Sequence, residues 1–213
     1  MKRIEDTPYR RHSDLPGADN PILNSLEGYW KTLRRTQRLP LRNDIEPSQI
    51  DQALPHAFIL QRVAPGIARM RVAGQHLHEL LKMDARGMPI STLFEPAARE
   101  QLADLIESAF QEPAIIAAPL VSPGSLVRPA LKGTMLLLPL NDENGETNRI
   151  LGAIVTEGQT GSRPRRFIVP DGALIRHETL CLKLASVQDT GPAGQQKGPD
   201  AKRPALRLVV NNG

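Results

Sequence analysis

A chain of 213 residues suits one domain of ordinary size with tails, long enough to bury roughly 70% of its unfolded surface. One Trp, two Tyr and four Phe leave the core aliphatic, and the lone Cys181 excludes an intramolecular disulfide, a CxxC redox pair and a cysteine zinc site. The net charge of +4 sits at the ends, +3 over residues 1–40 and +5 over 163–213 against −4 over 41–162; this argues against a nucleic-acid groove in the body and leaves only basic tails for weak charge contacts.

The N-terminus "MKRIEDTPYRRHSDLPG" has basic residues with no apolar run behind them, so no signal peptide is expected. The longest apolar stretch, about 135–140, is far short of the ~20 residues of a membrane span, and the expectation is a soluble cytoplasmic protein. Residues 1–19 read as a disordered tail. Asn20 as N-cap and Pro21 at the first helical position then start a helix over 20–38. Ile22, Leu26, Tyr29 and Leu33 form its apolar stripe, widened by Leu23 and Trp30, its last turn "KTLRRTQR" is basic, and Leu39-Pro40 ends it.

A short helix follows over 47–54, then a strand over 56–63, the turn "APG" and a second strand "IARMRVA". In that strand Met70 and Val72 are expected on one face, Arg69 and Arg71 on the other. "QHLHELLKM" reads as a short helix and "DARGMPISTLF" as irregular. A longer helix runs from Pro96 to about Gln111, with Ala98, Leu102, Leu105, Ile106, Ala109 and Phe110 on one face. "AIIAAPLVS" is a third strand, and "GTMLLLPLNDENGETNRILGAIV" a hairpin whose tip offers Asn144-Gly145 as the positive-φ pair of a tight turn. "FIVP" is a possible edge strand within an extension over 161–187, and residues 188–213 read as a flexible tail whose "ALRLVV" either pairs with a sheet edge or stays loose.

The hairpin is apolar on both faces: Met135 and Leu137 oppose Leu136 and Leu138, and Ile150 and Ile154 oppose Leu151 and Val155. An antiparallel sheet normally leaves one face wet, so this one needs two covers. Helices between strands two and three supply one, and the 20–38 helix is the strong candidate for the other. The fold class is therefore α+β, five antiparallel strands with helices between strands two and three and an N-terminal helix on the far face.

That order, carried by "LPLRNDIEP", "ALPHAFILQRV", "RMRVAGQHLHELL", "ISTLF" and "MLLLPLNDENGETNRILGAIV", resembles the PAS domain over about residues 30–157, and most of all the small single-domain PAS proteins of alphaproteobacteria. The sequence departs from that group at "KMDARGMPIS" and at Met135, both beside the cavity the fold implies. The resemblance implies a domain over 20–160 that senses ligands, dimerises or docks partners, often through a helix flanking the sheet. On that footing Met70, Val72, His76, Leu77, Leu81, Phe94, Leu102 and Leu137 are the ligand-pocket candidates, with a filled core the commoner outcome for such a set. Leu26, Tyr29, Trp30 and Leu33 are the interaction candidates, for a homodimer or a protein partner.

The sequence assembles no set of acid, base and nucleophile. "HELLK" from His78 is one residue short of a zincin motif because Lys82 stands where a second imidazole must be, and His76 and His78 lie on different helix faces. "GQTGS" lacks the strand–helix context of a phosphate loop, and no nucleophile elbow or metal run is present. No metal site, catalytic residue, haem or flavin is indicated. Arg69 and Arg71 on one strand face suit an anion or, more commonly, a solvated surface. The reading is a non-catalytic regulatory module in bacterial signalling, acting by self-association or docking. The alternative is a nucleic-acid-associated regulator working through the basic tails.

Overall fold

The computed structural model describes residues 16–34, 38–125 and 128–180. The expectations for residues 1–15 and 181–213, including Cys181 and "ALRLVV", lie outside the described residues; residues 16–19, expected as the end of the tail, form a turn in which the Gly17 carbonyl accepts the Asn20 amide at 3.0 Å. Helix α1 spans Pro21–Leu33, its N-terminus held by Asn20 Oδ1, which accepts the Ile22 and Leu23 amides at 3.1 Å each. The helix stops at Leu33, short of the expected 38; Arg34 is its C-cap and residues 35–37 lie outside the description.

Strands β1 (Ala57–Ala64) and β2 (Ile67–Ala73) form the first hairpin, α2 (Gln75–Leu81) and α3 (Arg99–Gln111) follow, and β3 (Ala114–Ser122), β4 (Leu131–Leu140) and β5 (Arg149–Glu157) complete the expected set. The segment read as a helix over 47–54 is a single 3₁₀ turn, Pro47–Gln49, followed by tight turns. A sixth strand, β6 (Arg176–Thr179), extends the sheet beyond the expected five, giving the order β2-β1-β5-β4-β3-β6 with every pair antiparallel. "FIVP" makes only isolated bridges, Phe94 with Phe167 and Val121 with Ile168. Its apolar residues serve a different purpose: Phe167 and Val169 plug the core beneath the helices.

The sheet is dry on both sides. Phe58, Leu60, Met135, Leu137, Ile150 and Ile154 face α2 and α3, while Ile59, Leu136, Leu138, Leu151, Ala153 and Val155 face α1. Leu23, Leu26 and Trp30 of α1 are buried on that second face, each worth ~1.5–3 kcal/mol against exposure. Trp30 also donates its indole N–H to the Pro139 carbonyl at 3.1 Å, so its one polar group is satisfied.

A bidentate ion pair fixes α1 to the far edge of the sheet: Arg176 of β6 donates to both carboxylate oxygens of Glu27 at 2.7 and 2.8 Å. Burial pushes the Glu27 carboxyl up, but hydrogen bonds from Arg176 and Lys31 outweigh it and hold the group below the usual carboxylate range. This pair, with no apolar signal in "RHET", is what the sequence reading lacked.

The hairpin tip also differs in detail. Among the described non-glycine residues only Lys82 has positive φ, so of the Asn144-Gly145 pair just Gly145 (φ 82°) adopts it. The turn is a wider loop over 141–148, organised by Asp142, whose carboxylate accepts from the Asn144 amide (2.9 Å), the Glu146 amide (3.0 Å) and the Asn148 side chain (2.5 Å).

Candidate functional site

Two regions are the candidates, the interior between sheet and helices and a concavity on the α1 face. The interior is lined by this chain's own apolar side chains. Met70, Leu77, Leu81, Phe94, Leu102 and Leu137 are all at most 2% exposed and share one continuous cluster with Phe58, Ile106 and Phe167. Six of the eight expected pocket residues are thus brought together in one buried cluster.

Val72 is not among them. Ile59 pairs with Val72 and Leu60 with Met70, so Arg71 is an extra residue on β2, and this bulge reverses the alternation at that point. Val72 emerges on the α1 face, 44% exposed. There it borders a cleft of about 210 Å³ lined mainly by Ile45, Ile50, Leu54, Ile59, Val72 and Leu151. Leu54, at 38% exposure, forms part of its rim.

Of the expected anion candidates on β2, Arg69 donates to the Gly87 carbonyl at 2.9 Å, and Arg71 donates its Nε to Gln61 Oε1 at 2.6 Å. Of the four interaction candidates on α1, Leu26 and Trp30 are wholly buried against this chain's own sheet. Tyr29 and Leu33 are half-buried at its margin, and Tyr29 bonds the Asp44 carbonyl and the Glu46 amide through its hydroxyl.

A family model described as "PAS domain" matches residues 19–155 of the 213. The chain belongs to the PAS domain family. Comparison with curated protein sequences gives no match. Similar solved structures include the light state of the blue-light photoreceptor Aureochrome1 LOV, 14% identical with a TM-score of 0.39, covering 52% of this chain and 87% of that one. The PAS domain of Bordetella pertussis BvgS is 15% identical with a TM-score of 0.34, covering 64% and 88%. An RNA-binding light-oxygen-voltage receptor is 14% identical with a TM-score of 0.37, covering 54% of this chain and 33% of that one. As a PAS domain the chain is a sensory or regulatory signalling module, and no helix among its described residues is long and apolar enough to cross a membrane.

The PAS fold of this chain does not stop where the family match does. Arg165 is a fully buried side chain whose guanidinium donates to the carbonyls of Thr160 (2.8 Å), Pro129 (2.9 Å) and Gln159 (3.3 Å). The Arg165 amide bonds the Leu80 carbonyl at 2.8 Å, and Phe167 and Leu93 are joined likewise at 2.8 Å, so residues 159–168 lace the helical layer shut. The extension expected over 161–187 is, as far as Leu180, part of the packed domain. Sequence patterning missed it because its anchors are one arginine and alternate apolar plugs with no helical or strand period.

His76, the eighth pocket candidate, stands at the rim of the interior. Its Nε2 hydrogen-bonds Thr156 Oγ1 at 3.0 Å, and its ring lies 4.7 Å from that of His56 at a tilt of 53°. Burial, with repulsion from His56, drops its pKa from 6.5 to about 4, against the smaller pull of Glu79. Between those values the unfolded chain takes up a proton that the folded one refuses, so stability is full above 6.5 and drains as pH falls toward 4. Urea unfolding at pH 7.5 and 4.5 is expected to show a loss on the order of 2–3 kcal/mol from this residue, absent in His76→Gln. His78 Nδ1 lies 2.9 Å from the Ala85 amide that donates to it, and its Nε2 lies 3.2 Å from the Ala73 carbonyl. Among the described residues no group of three His, Cys, Asp or Glu is placed to hold a metal ion.

Proposed function

We propose that this PAS domain is a non-catalytic regulatory module, spanning residues 20–180, that acts through its surface by self-association. The observation that carries this reading is the contrast between the two candidate regions. The interior candidates are buried among this chain's own side chains, whereas the apolar concavity lies open on the α1 face beside exposed Val72 and Leu54. A knob and a hollow on one patch suit a two-fold interface, in which each copy offers both. Helix α1 then serves as a fixed wall of the interface rather than as its detachable arm, since Leu26 and Trp30 are committed to the sheet.

Sedimentation velocity on the full chain over a wide concentration range tests this. The expected result is a dimer, converted to monomer by Val72→Asp with the melting temperature unchanged, because an exposed side chain on a bulge contributes little to the fold. Monomers at every concentration in the wild type would end the self-association reading and leave docking of a different protein as the module's output.

A further inference from the structure

The sheet end that carries the β4–β5 loop holds a second cleft, polar and separate from the packed interior. The segment 40–44 is strapped to the loop: Asn141 donates its amide to the Pro40 carbonyl at 2.9 Å, Arg42 its amide to the Asn141 carbonyl at 3.1 Å, and Asn43 its side-chain amide to Glu143 Oε1 at 2.9 Å. Between strap and loop lies a cleft of about 340 Å³ whose walls include Arg42, Asn43, Asp142, Glu143, Asn144 and Arg149.

Two arginines, Arg42 and Arg149, line it, and a third, Arg71, lies close enough to repel Arg149. Arg149 enters from the first position of β5, opposite Gln61 of β1, and Arg71 reaches the same Gln61 from the β2 bulge. Burial, and then repulsion from Arg71 and from Arg42, lowers the pKa of Arg149, with Asp142 opposing. The carboxylates are already engaged: Asp142 caps its own loop with three hydrogen bonds, and Glu143 holds Asn43. No ion pair among the described residues includes Arg42, Arg71 or Arg149. Nη1 of Arg149 is buried and meets no acceptor of the protein. A buried donor without an acceptor is destabilising, more so beside two like charges, and both penalties are offset when an oxyanion accepts from the guanidinium forks.

We propose that this cleft is a binding site for a phosphate group, free or as a phosphomonoester, held by Arg149 and Arg42 with Arg71 adding positive charge from behind Gln61. A tetrahedral oxyanion matches the fork geometry, Arg42, Arg71 and Arg149 outnumber the two carboxylates of Asp142 and Glu143, and those two walls limit entry to a compact headgroup.

Isothermal titration calorimetry of the full chain at low ionic strength and pH about 8, where phosphate is a dianion, tests the proposal with inorganic phosphate, phenyl phosphate and malonate. Saturable one-to-one binding of phosphate or phenyl phosphate is expected, at least about tenfold weaker in Arg149→Gln, in Arg149→Lys, whose ammonium has no fork, and in Arg42→Gln. Tighter binding of phenyl phosphate would assign a phosphomonoester, and tighter binding of inorganic phosphate the free ion. Arg42→Gln lies on the half-exposed strap and keeps the test valid should the Arg149 variants fold poorly. Leu54→Ser, a neutral change on the rim of the apolar cleft, should leave the phosphate isotherm unchanged, which separates this site from the self-association surface. Phosphate binding unaltered in the arginine variants, no saturable binding, or malonate binding as tightly as phosphate would overturn it.

Discussion

Replacing Gly152 with alanine is expected to destabilise the domain by about 3 kcal/mol, the upper part of the range for overpacking a core. Gly152 sits mid-strand in β5, between Phe58 of β1 and Leu137 of β4. A Cβ there would lie 2.4 Å from two carbons of the Phe58 ring and 2.8 Å from the Leu136 carbonyl oxygen. Neither neighbour can yield cheaply. Phe58 is fully buried in the helix-side cluster, and the carbonyl belongs to the central β4 backbone. Glycine in a strand is ordinarily a weakness, and here it lets an aromatic ring pass directly over the backbone. For a domain of this size the loss corresponds to a fall in melting temperature of roughly 6–12 °C, readable by circular dichroism. Combining Gly152→Ala with Phe58→Leu should cost less than the sum of the two, since the smaller side chain vacates the space the methyl needs. A Gly152→Ala variant as stable as the wild type would mean that Phe58 does not cross this strand.

Much of this architecture is legible in the residues because periodicity reports burial. The alternation of Met135 and Leu137 against Leu136 and Leu138 says that both sheet faces are covered, and both are. Strands β2 and β3 begin and end where their apolar patterns do. The cues that fail are those without a period. One inserted residue, Arg71, sends Val72 to the opposite face, and nothing in "RMRVAG" marks the insertion. Strand β6 is polar and exposed because its attachments are backbone bonds to β3 and the Arg176–Glu27 pair, so it carries no hydrophobic signature. "FIVP" has that signature and yet is a plug, since its neighbours in space are Leu93 and Val121 rather than a full strand. The interior candidates follow from alternation and helical spacing. Arg42 and Arg149 do not, because a strap and a loop separated by about a hundred residues bring them together.

Trp30→Ala should be among the most damaging single substitutions on the α1 side, with a loss of about 3–5 kcal/mol in urea unfolding. The side chain is wholly buried and is the largest in the second cluster, set against β4 and β5 with Leu26 and Leu138. Trp30→Phe separates its two contributions. It keeps most of the apolar contact but leaves the Pro139 carbonyl without the indole donor, for an expected cost of about 1–2 kcal/mol. Removing residues 1–38 altogether goes further, since it strips Leu23, Leu26 and Trp30 from the sheet and leaves Leu136, Leu138, Leu151 and Val155 facing water. A helix that was only an interaction arm could be removed with the fold intact. With α1 packed on its own sheet, the truncated chain should instead melt early or aggregate. The acid side of the stability profile carries the same information: the depressed Glu27 carboxyl contributes stability above its ordinary value of 4.5 that is lost as pH falls below it, and Glu27→Gln should remove that loss. A truncated chain with an undiminished melting temperature would show that the β-layer needs no second cover, and the physical reason for α1 would have to be sought elsewhere.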